Sequence, residues 1–242
     1  MDLYFFHYVL LIGLTVLSIV TNSLSFNPVQ FHCNNYVLNT YLYFILAWGI
    51  VMATNAGLYE NKVKLNTIFS GPFTILLMIL SLMLLVVLLY TPSELFFTKN
   101  FLFILEIIFL GLFMYPFYVN SKELFHQIAV TTFFILILLS VITYYLYDYI
   151  ADSWGRYLLI ALLAIIIARI IEFFRNTKYS KRNHRIISYI SVIVFSLLVM
   201  YDTKRVQINA KNCISADYIN ESLHLFLDSI NLFQNIYFLN SN

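Results

Sequence analysis

The closing segment of the chain places polar side chains at helical spacing within an apolar stretch. At about 100° per residue, these side chains fall on one face of an α-helix: Asn220, Glu221, His224, Asp228, Asn231 and Asn235. Helices that lie on a membrane surface are usually rich in Lys and Arg, and residues 217–242 contain neither. We therefore expect this helix to stand inside a bundle, with its polar face toward a cavity or other polar groups.

Asp228 is the most costly residue of this face, because a carboxylate at membrane depth costs roughly 3 kcal/mol. Its candidate partner, Asp202, directly follows the preceding apolar segment, and the stretch from Asp202 to Asp217 is long enough for the two helices to lie side by side. Two carboxyl groups in contact share a proton and titrate as a coupled pair. Such a pair can sense protons and bind a cation when deprotonated. The alternatives are a structural hydrogen bond from Asp228 and a helix-end position of Asp202 beside Lys204 and Arg205.

The composition indicates a lipid environment around these helices. Of the 242 residues, 61% are hydrophobic and 11% are charged, whereas a soluble domain is about half apolar and a quarter charged. A membrane-spanning helix needs about 20 mostly apolar residues, and eight segments fit: 3–20, 41–57, 68–90, 101–119, 125–147, 157–174, 186–201 and 218–239. They lack the alternation of barrel strands. The sequence therefore predicts an all-α, polytopic bundle of membrane helices.

The first segment is set apart from the rest of the chain by the polar stretch that follows it. We predict an extra N-terminal helix within residues 1–34 and the main transmembrane domain in residues 35–242. A cleaved signal peptide is the alternative, although no basic residue precedes the segment. The net charge of +2 is too small to indicate binding to nucleic acid.

Several other residues could carry chemistry. Glu106 lies within an apolar segment, where it could face an ion route or be protonated and hydrogen-bonded. Arg169 and Glu172 are three residues apart and can form a structural pair on one helix face. The histidines His126 and His224 are expected to form hydrogen bonds. The cysteines Cys33 and Cys213 are expected to be isolated thiols.

No motif of a soluble enzyme is present, so we predict that the protein is not an enzyme. An intramembrane aspartyl protease remains as an alternative, because such enzymes use two carboxyl groups to activate water. The bulky Phe226 and Leu227 precede Asp228, where those enzymes carry small residues that let a substrate backbone approach. This alternative therefore has little support.

Three motifs in the closing segments resemble the Bax inhibitor family of membrane proteins. They are Tyr201-Asp202-Thr203-Lys204-Arg205, Asp217-Tyr218-Ile219 and Leu227-Asp228-Ser229-Ile230-Asn231-Leu232-Phe233. Weaker similarity continues upstream in Gly155-Arg156-Tyr157-Leu158, in Phe109-Leu110-Gly111-Leu112-Phe113-Met114-Tyr115-Pro116 and in Thr40-Tyr41-Leu42-Tyr43. The resemblance covers the chain from about Asn35 to its end.

This resemblance implies a seven-helix bundle with a central last helix and a pH-sensitive calcium leak through its centre. It implies that Asp202 and Asp228 are the sensor, with calcium as the permeant ion or as an ion bound by these two residues, and no other cofactor. Further candidates for the pathway or a basic latch are Glu106, Lys99, Glu221, His224 and Asn231. The implied partners are the lipid bilayer, calcium and protons, with other membrane proteins as further candidates. The alternative function is that of a non-transporting regulator that binds other membrane proteins.

The resemblance also implies a link to suppression of cell death and a location in the endoplasmic reticulum or Golgi if the source is eukaryotic or viral, or in the plasma membrane if it is bacterial. It places the loop after Asp202 in the cytosol. Charge indicates the opposite orientation, because Lys and Arg favour the cytosolic side. The side of the membrane that carries the loop after Asp202 has five Lys and Arg residues. The other side has eight, five of them in residues 175–185. The sequence leaves the orientation open.

Overall fold

A computed structural model of the chain describes residues 31, 33–174 and 180–241. These residues form eight α-helices, a 3₁₀ turn at Tyr147–Tyr149 and no strand. The helices are α1 Tyr36–Glu60, α2 Leu65–Ile68, α3 Gly71–Tyr90, α4 Phe96–Asn120, α5 Lys122–Tyr145, α6 Trp154–Phe174, α7 Ser180–Lys211 and α8 Tyr218–Asn240. The predicted all-helical class is confirmed.

Seven of the eight predicted segments correspond to long helices, and the predicted helix over residues 3–20 lies outside the described residues. By length and composition, six helices in the described part could cross a membrane: α1, α3, α4, α5, α6 and α7. The chain is therefore an integral, multi-pass membrane protein. The polar α8 does not meet the same criteria, because Glu221, Asp228 and several amide side chains interrupt its apolar residues.

Several helix ends differ from the predicted ones, and two of these differences have a clear physical reason. The third segment was expected to begin at Ile68, but that residue ends the short α2, and α3 begins at Gly71. Gly71 has a φ of 38°, a conformation that glycine adopts without a steric penalty. Pro72 then occupies the first turn, where a missing N–H costs nothing.

The second difference concerns α7, which continues ten residues beyond the predicted end at Tyr201 to Lys211. No Gly or Pro interrupts residues 202–211, and Val206 in this extension is fully buried. Asp202 therefore lies inside a helix, and the alternative of a helix-end position is wrong. The connection to α8 contains only residues 212–217.

The helices belong to two compact units, of which the first contains α1–α4 and residues 209–223. In this unit α4 contacts α1, α2 and α3. A Cβ on Gly111 of α4 would lie 3.2 Å from the Cβ of Thr54 on α1. The Asn55 amide donates a 3.2 Å hydrogen bond to the Gly111 carbonyl. The absence of a side chain at Gly111 thus allows α1 and α4 to pack closely.

A disulfide joins the start of this unit to the α7–α8 connection. Cys33 and Cys213 are 180 residues apart in sequence, and their Cα atoms are 5.7 Å apart. The expectation of two isolated thiols is therefore wrong. The sequence could not reveal the pairing, because only the fold brings residues so distant along the chain together.

The second unit contains α5, α6, most of α7 and α8 from His224 onward. The rings of Phe125 on α5 and Phe233 on α8 pack with centroids 4.9 Å apart. Along all of α8, no residue from Tyr218 to Leu239 is exposed. The predicted interior position of this helix is confirmed, and a location on the membrane surface is excluded.

Candidate functional site

The structure brings Asp202 of α7 and Asp228 of α8 together, and we call these two residues the carboxyl pair. Their side chains are joined by a hydrogen bond, and both residues are at most 9% exposed. Because a carboxylate has no proton to donate, this hydrogen bond requires a proton on one of the two groups. Asp228 Oδ2 has no hydrogen-bond partner among the described residues. The site therefore combines a proton-dependent contact with an available acceptor oxygen.

The nearby Lys204 contacts residues outside this pair. Lys204 Nζ donates to the Ile150 carbonyl at 2.5 Å and to Asp152 Oδ1 at 3.0 Å. It also lies 5.2 Å from the centre of the Tyr147 ring. The segment before α6 thus holds the ammonium group, and Asp202 acts electrostatically on Asp228.

Close packing of α6 against α7 fixes the residue before Asp202. A Cβ on Gly155 would lie 2.5 Å from the Tyr201 hydroxyl oxygen and 2.7 Å from its Cζ. Any larger residue at position 155 would therefore displace the Tyr201 ring. Gly155 and Tyr201 belong to two of the motifs on which the family resemblance rests, and the structure places them in contact.

Several other polar residues of α8 have hydrogen-bond partners of their own. In the first unit, Asn220 donates to the Leu89 carbonyl at 3.1 Å, and Asn209 donates to Glu221 Oε1 at 2.6 Å. In the second unit, Asn231 donates to the Leu227 carbonyl of its own helix at 2.8 Å. His224 is half-buried. The predicted polar face exists, and Asp228 on it contacts a second acid, Asp202.

Lys99, the candidate latch, is fully buried at the start of α4. Its Nζ donates to Asp217 Oδ2 at 2.5 Å and to the Thr91 carbonyl at 2.8 Å. Asp217 begins the second of the three closing motifs, just before α8. The lysine therefore connects the start of α4 to the α7–α8 connection through an ion pair.

Glu106 is a second buried acid, in the middle of α4. Ser81 of α3 donates to its Oε1 at 3.1 Å, whereas Oε2 has no hydrogen-bond partner in the part of the chain described. This partner lies on another helix, which explains why no local sequence signal indicated it.

Arg169 contacts four polar residues of the second unit. We call the five residues together the Arg169 network: Arg169, Glu172, His184, Ser188 and Asn235. Arg169 Nη1 lies 3.0 Å from Glu172 Oε2, as the three-residue spacing predicted. Its guanidinium also donates to Ser188 Oγ at 2.9 Å and to Asn235 Oδ1 at 2.7 Å, and its Nη1 lies 2.8 Å from His184 Nδ1. Sequence reasoning missed these last three contacts, because they join α6 to α7 and α8.

Comparison with known protein families supports the relationship that the closing motifs suggest. Residues 33–241 match the family described as Bax1-I, inhibitor of apoptosis-promoting Bax1. The chain belongs to the Bax inhibitor family. No curated protein sequence matches the chain. The match begins at Cys33, close to the predicted start of the main transmembrane domain, and includes all eight described helices. Membership in the Bax inhibitor family links this membrane protein to the inhibition of cell death.

The carboxyl pair of this Bax inhibitor family member sets limits on how calcium could bind. Calcium usually takes six to eight oxygen ligands, whereas Asp202 and Asp228 supply at most four carboxylate oxygens. Among the described residues, no group of three or more His, Cys, Asp or Glu side chains lies close enough to hold a metal.

Proposed function

We propose that this protein is a pH-sensitive leak for calcium, with Asp202 and Asp228 as the proton-controlled point of its ion path. The observation that carries the proposal is the hydrogen-bonded contact between two buried carboxyl groups. With one proton present, the two side chains hold each other. Without it, two negative charges repel and attract a divalent cation.

The character of α8 supports an ion path along this helix. Acidic residues within membrane helices are costly and usually mark routes for ions or protons. In α8, Glu221 and Asp228 are both buried, and the helix has no exposed residue before Asn240. Transport requires no bond to be made or broken, so the proposal assigns no catalytic role. A leak from a calcium store is also a direct way for a membrane protein to influence cell death.

Purified protein in liposomes containing a calcium indicator tests the proposal. Wild-type protein should pass calcium at a rate that depends on pH, and Asp202→Asn or Asp228→Asn should abolish that dependence, because an amide does not titrate. Asp148→Asn is the matched control, since it removes an exposed carboxylate from the same unit. A calcium flux in Asp228→Asn with the same pH profile as the wild type would end the hypothesis.

The same experiment separates this function from that of a non-transporting regulator. Such a regulator would pass no calcium at any pH in liposomes. It would still suppress cell death in cells when both aspartates are replaced by asparagine. The leak hypothesis expects that the double replacement abolishes the pH-dependent calcium flux and the suppression of cell death together.

A further inference from the structure

The disulfide and the basic residues lie at opposite ends of α7. Cys213 follows the last residue of this helix by two positions. At the other end, basic side chains are concentrated just before and within the first turns: Arg175, Lys178, Lys181, Arg182 and Arg185. A helix of 32 residues is about 48 Å long, which exceeds the roughly 30 Å of a bilayer core. One crossing therefore separates the two features.

Each feature indicates the same orientation independently of the other. Disulfides persist in oxidising compartments and are rare in the cytosol, so Cys213 indicates a non-cytosolic side. Short loops rich in Lys and Arg remain in the cytosol, so residues 175–185 indicate the cytosolic side. The family resemblance alone implies the reverse, with the loop after Asp202 in the cytosol.

The first unit shows that the disulfide belongs to a fixed end of the protein rather than to a loose loop. Besides Cys213, the α7–α8 connection is held by Ser215, whose Oγ lies 3.0 Å from Ser93 Oγ. Asp217 of the same connection pairs with the buried Lys99. We call this part, with Cys33 and the connections at residues 91–95 and 212–217, the disulfide end.

Along α7, the carboxyl pair is closer to the disulfide end than to the basic end. Asp202 lies nine residues before Lys211 and 22 residues after Ser180, or about 14 Å and about 33 Å along the helix. Asp228 is hydrogen-bonded to Asp202 and therefore lies at the same depth. Protons from the disulfide side have the shorter path along α7.

Three charged or titratable side chains lie near the pair along α7 and α8. Lys204 is held by Ile150 and Asp152, Arg205 is exposed, and His224 is half-buried one turn before Asp228. From α6, the residue packed against this part of α7 is Gly155, which has no titratable group.

We infer that the disulfide end faces an oxidising, non-cytosolic compartment, and that the carboxyl pair responds to the pH of that compartment rather than to cytosolic pH. The orientation stands on the disulfide and the basic residues. The response to pH rests on the proposed calcium leak.

Single cysteines introduced at exposed positions test the orientation while the native disulfide stays intact. Glu94→Cys reports on the disulfide end, and Asn183→Cys reports on the basic end; both positions are exposed. In sealed vesicles with the cytosolic face outward, a membrane-impermeant maleimide should label Asn183→Cys directly and Glu94→Cys only after detergent is added. The opposite pattern would overturn the orientation and leave the proposed leak untouched.

Calcium flux in liposomes whose orientation is known from the same labels tests the response to pH. Changing the pH on the disulfide side should change the flux, by at most about tenfold per pH unit for a single titration. The same change on the basic side should leave it within about twofold. A flux that follows only the basic-side pH overturns the inference about proton supply. Absence of flux under every condition, with the expected labelling, overturns the proposed leak but keeps the orientation.

Discussion

Two polar clusters in the second unit connect α7 to α8, and they differ in how their charges are compensated. In the Arg169 network, one guanidinium contacts an acid, a histidine, a serine and an amide. In the carboxyl pair, Asp202 and Asp228 contact each other, and the nearby Lys204 is held elsewhere. The first cluster joins opposite charges, and the second joins two groups of the same charge.

Because of this difference, we expect the Arg169 network to stabilise the fold and the carboxyl pair to change its protonation state. A buried acid with a basic partner keeps its ionic state, and removing either partner leaves a costly charge behind. The contact between two acids depends on a proton that binds and dissociates as the pH changes. We expect the Arg169 network to dominate stability and the carboxyl pair to dominate the response to pH.

The largest effect on stability should follow from Arg169→Met. This change leaves Glu172 with only His184 as a nearby basic group and removes donors to Ser188 and Asn235, so the free energy of unfolding should fall by about 3 kcal/mol. Thermal unfolding in detergent measures this loss. Arg169→Lys, which keeps the charge but not the planar set of donors, should cost less. An unchanged unfolding temperature in Arg169→Met would show that the network is not structural.

Much of this contrast could be predicted from the sequence, because the relevant signals are local. Long apolar runs predicted the membrane helices, and helical spacing predicted both the Arg169–Glu172 pair and the polar face of α8. The spacing of the closing motifs also suggested that Asp202 and Asp228 meet. These predictions needed only periodicity and the cost of polar groups in lipid.

The remaining features depend on contacts between distant parts of the chain. The disulfide between Cys33 and Cys213, the partners of Arg169 on α7 and α8, and the pairing of Lys99 with Asp217 have no local signal. The end of α7 was placed too early because residues 202–211 are polar, although their side chains are compatible with a helix. Apolar length predicts where lipid contact ends, not where a helix ends.

A smaller loss of stability is expected from Gly155→Ala, which acts on the support of the carboxyl pair. The new methyl group would collide with the Tyr201 ring, and such overpacking typically costs about 1–3 kcal/mol. Because Tyr201 precedes Asp202, the pH profile of calcium flux should also shift. Gly57→Ala is the control, since no atom lies within 4 Å of its added Cβ. It should stabilise α1 by up to about 1 kcal/mol. Equal unfolding temperatures for the two variants would contradict the close contact.

The smallest effect on stability should come from Asp228→Asn, although this change removes a buried carboxyl group. The amide can donate to Asp202 in place of the shared proton, so we expect the free energy of unfolding to change by less than about 1 kcal/mol. Glu172→Gln makes the same chemical change in the Arg169 network, where it removes the counter-charge of Arg169 and should cost about 2 kcal/mol. Thermal unfolding of both variants at neutral pH measures the difference. If Asp228→Asn were the more destabilised of the two, the carboxyl pair would be a structural contact like the network, and its suitability for proton control would be lost.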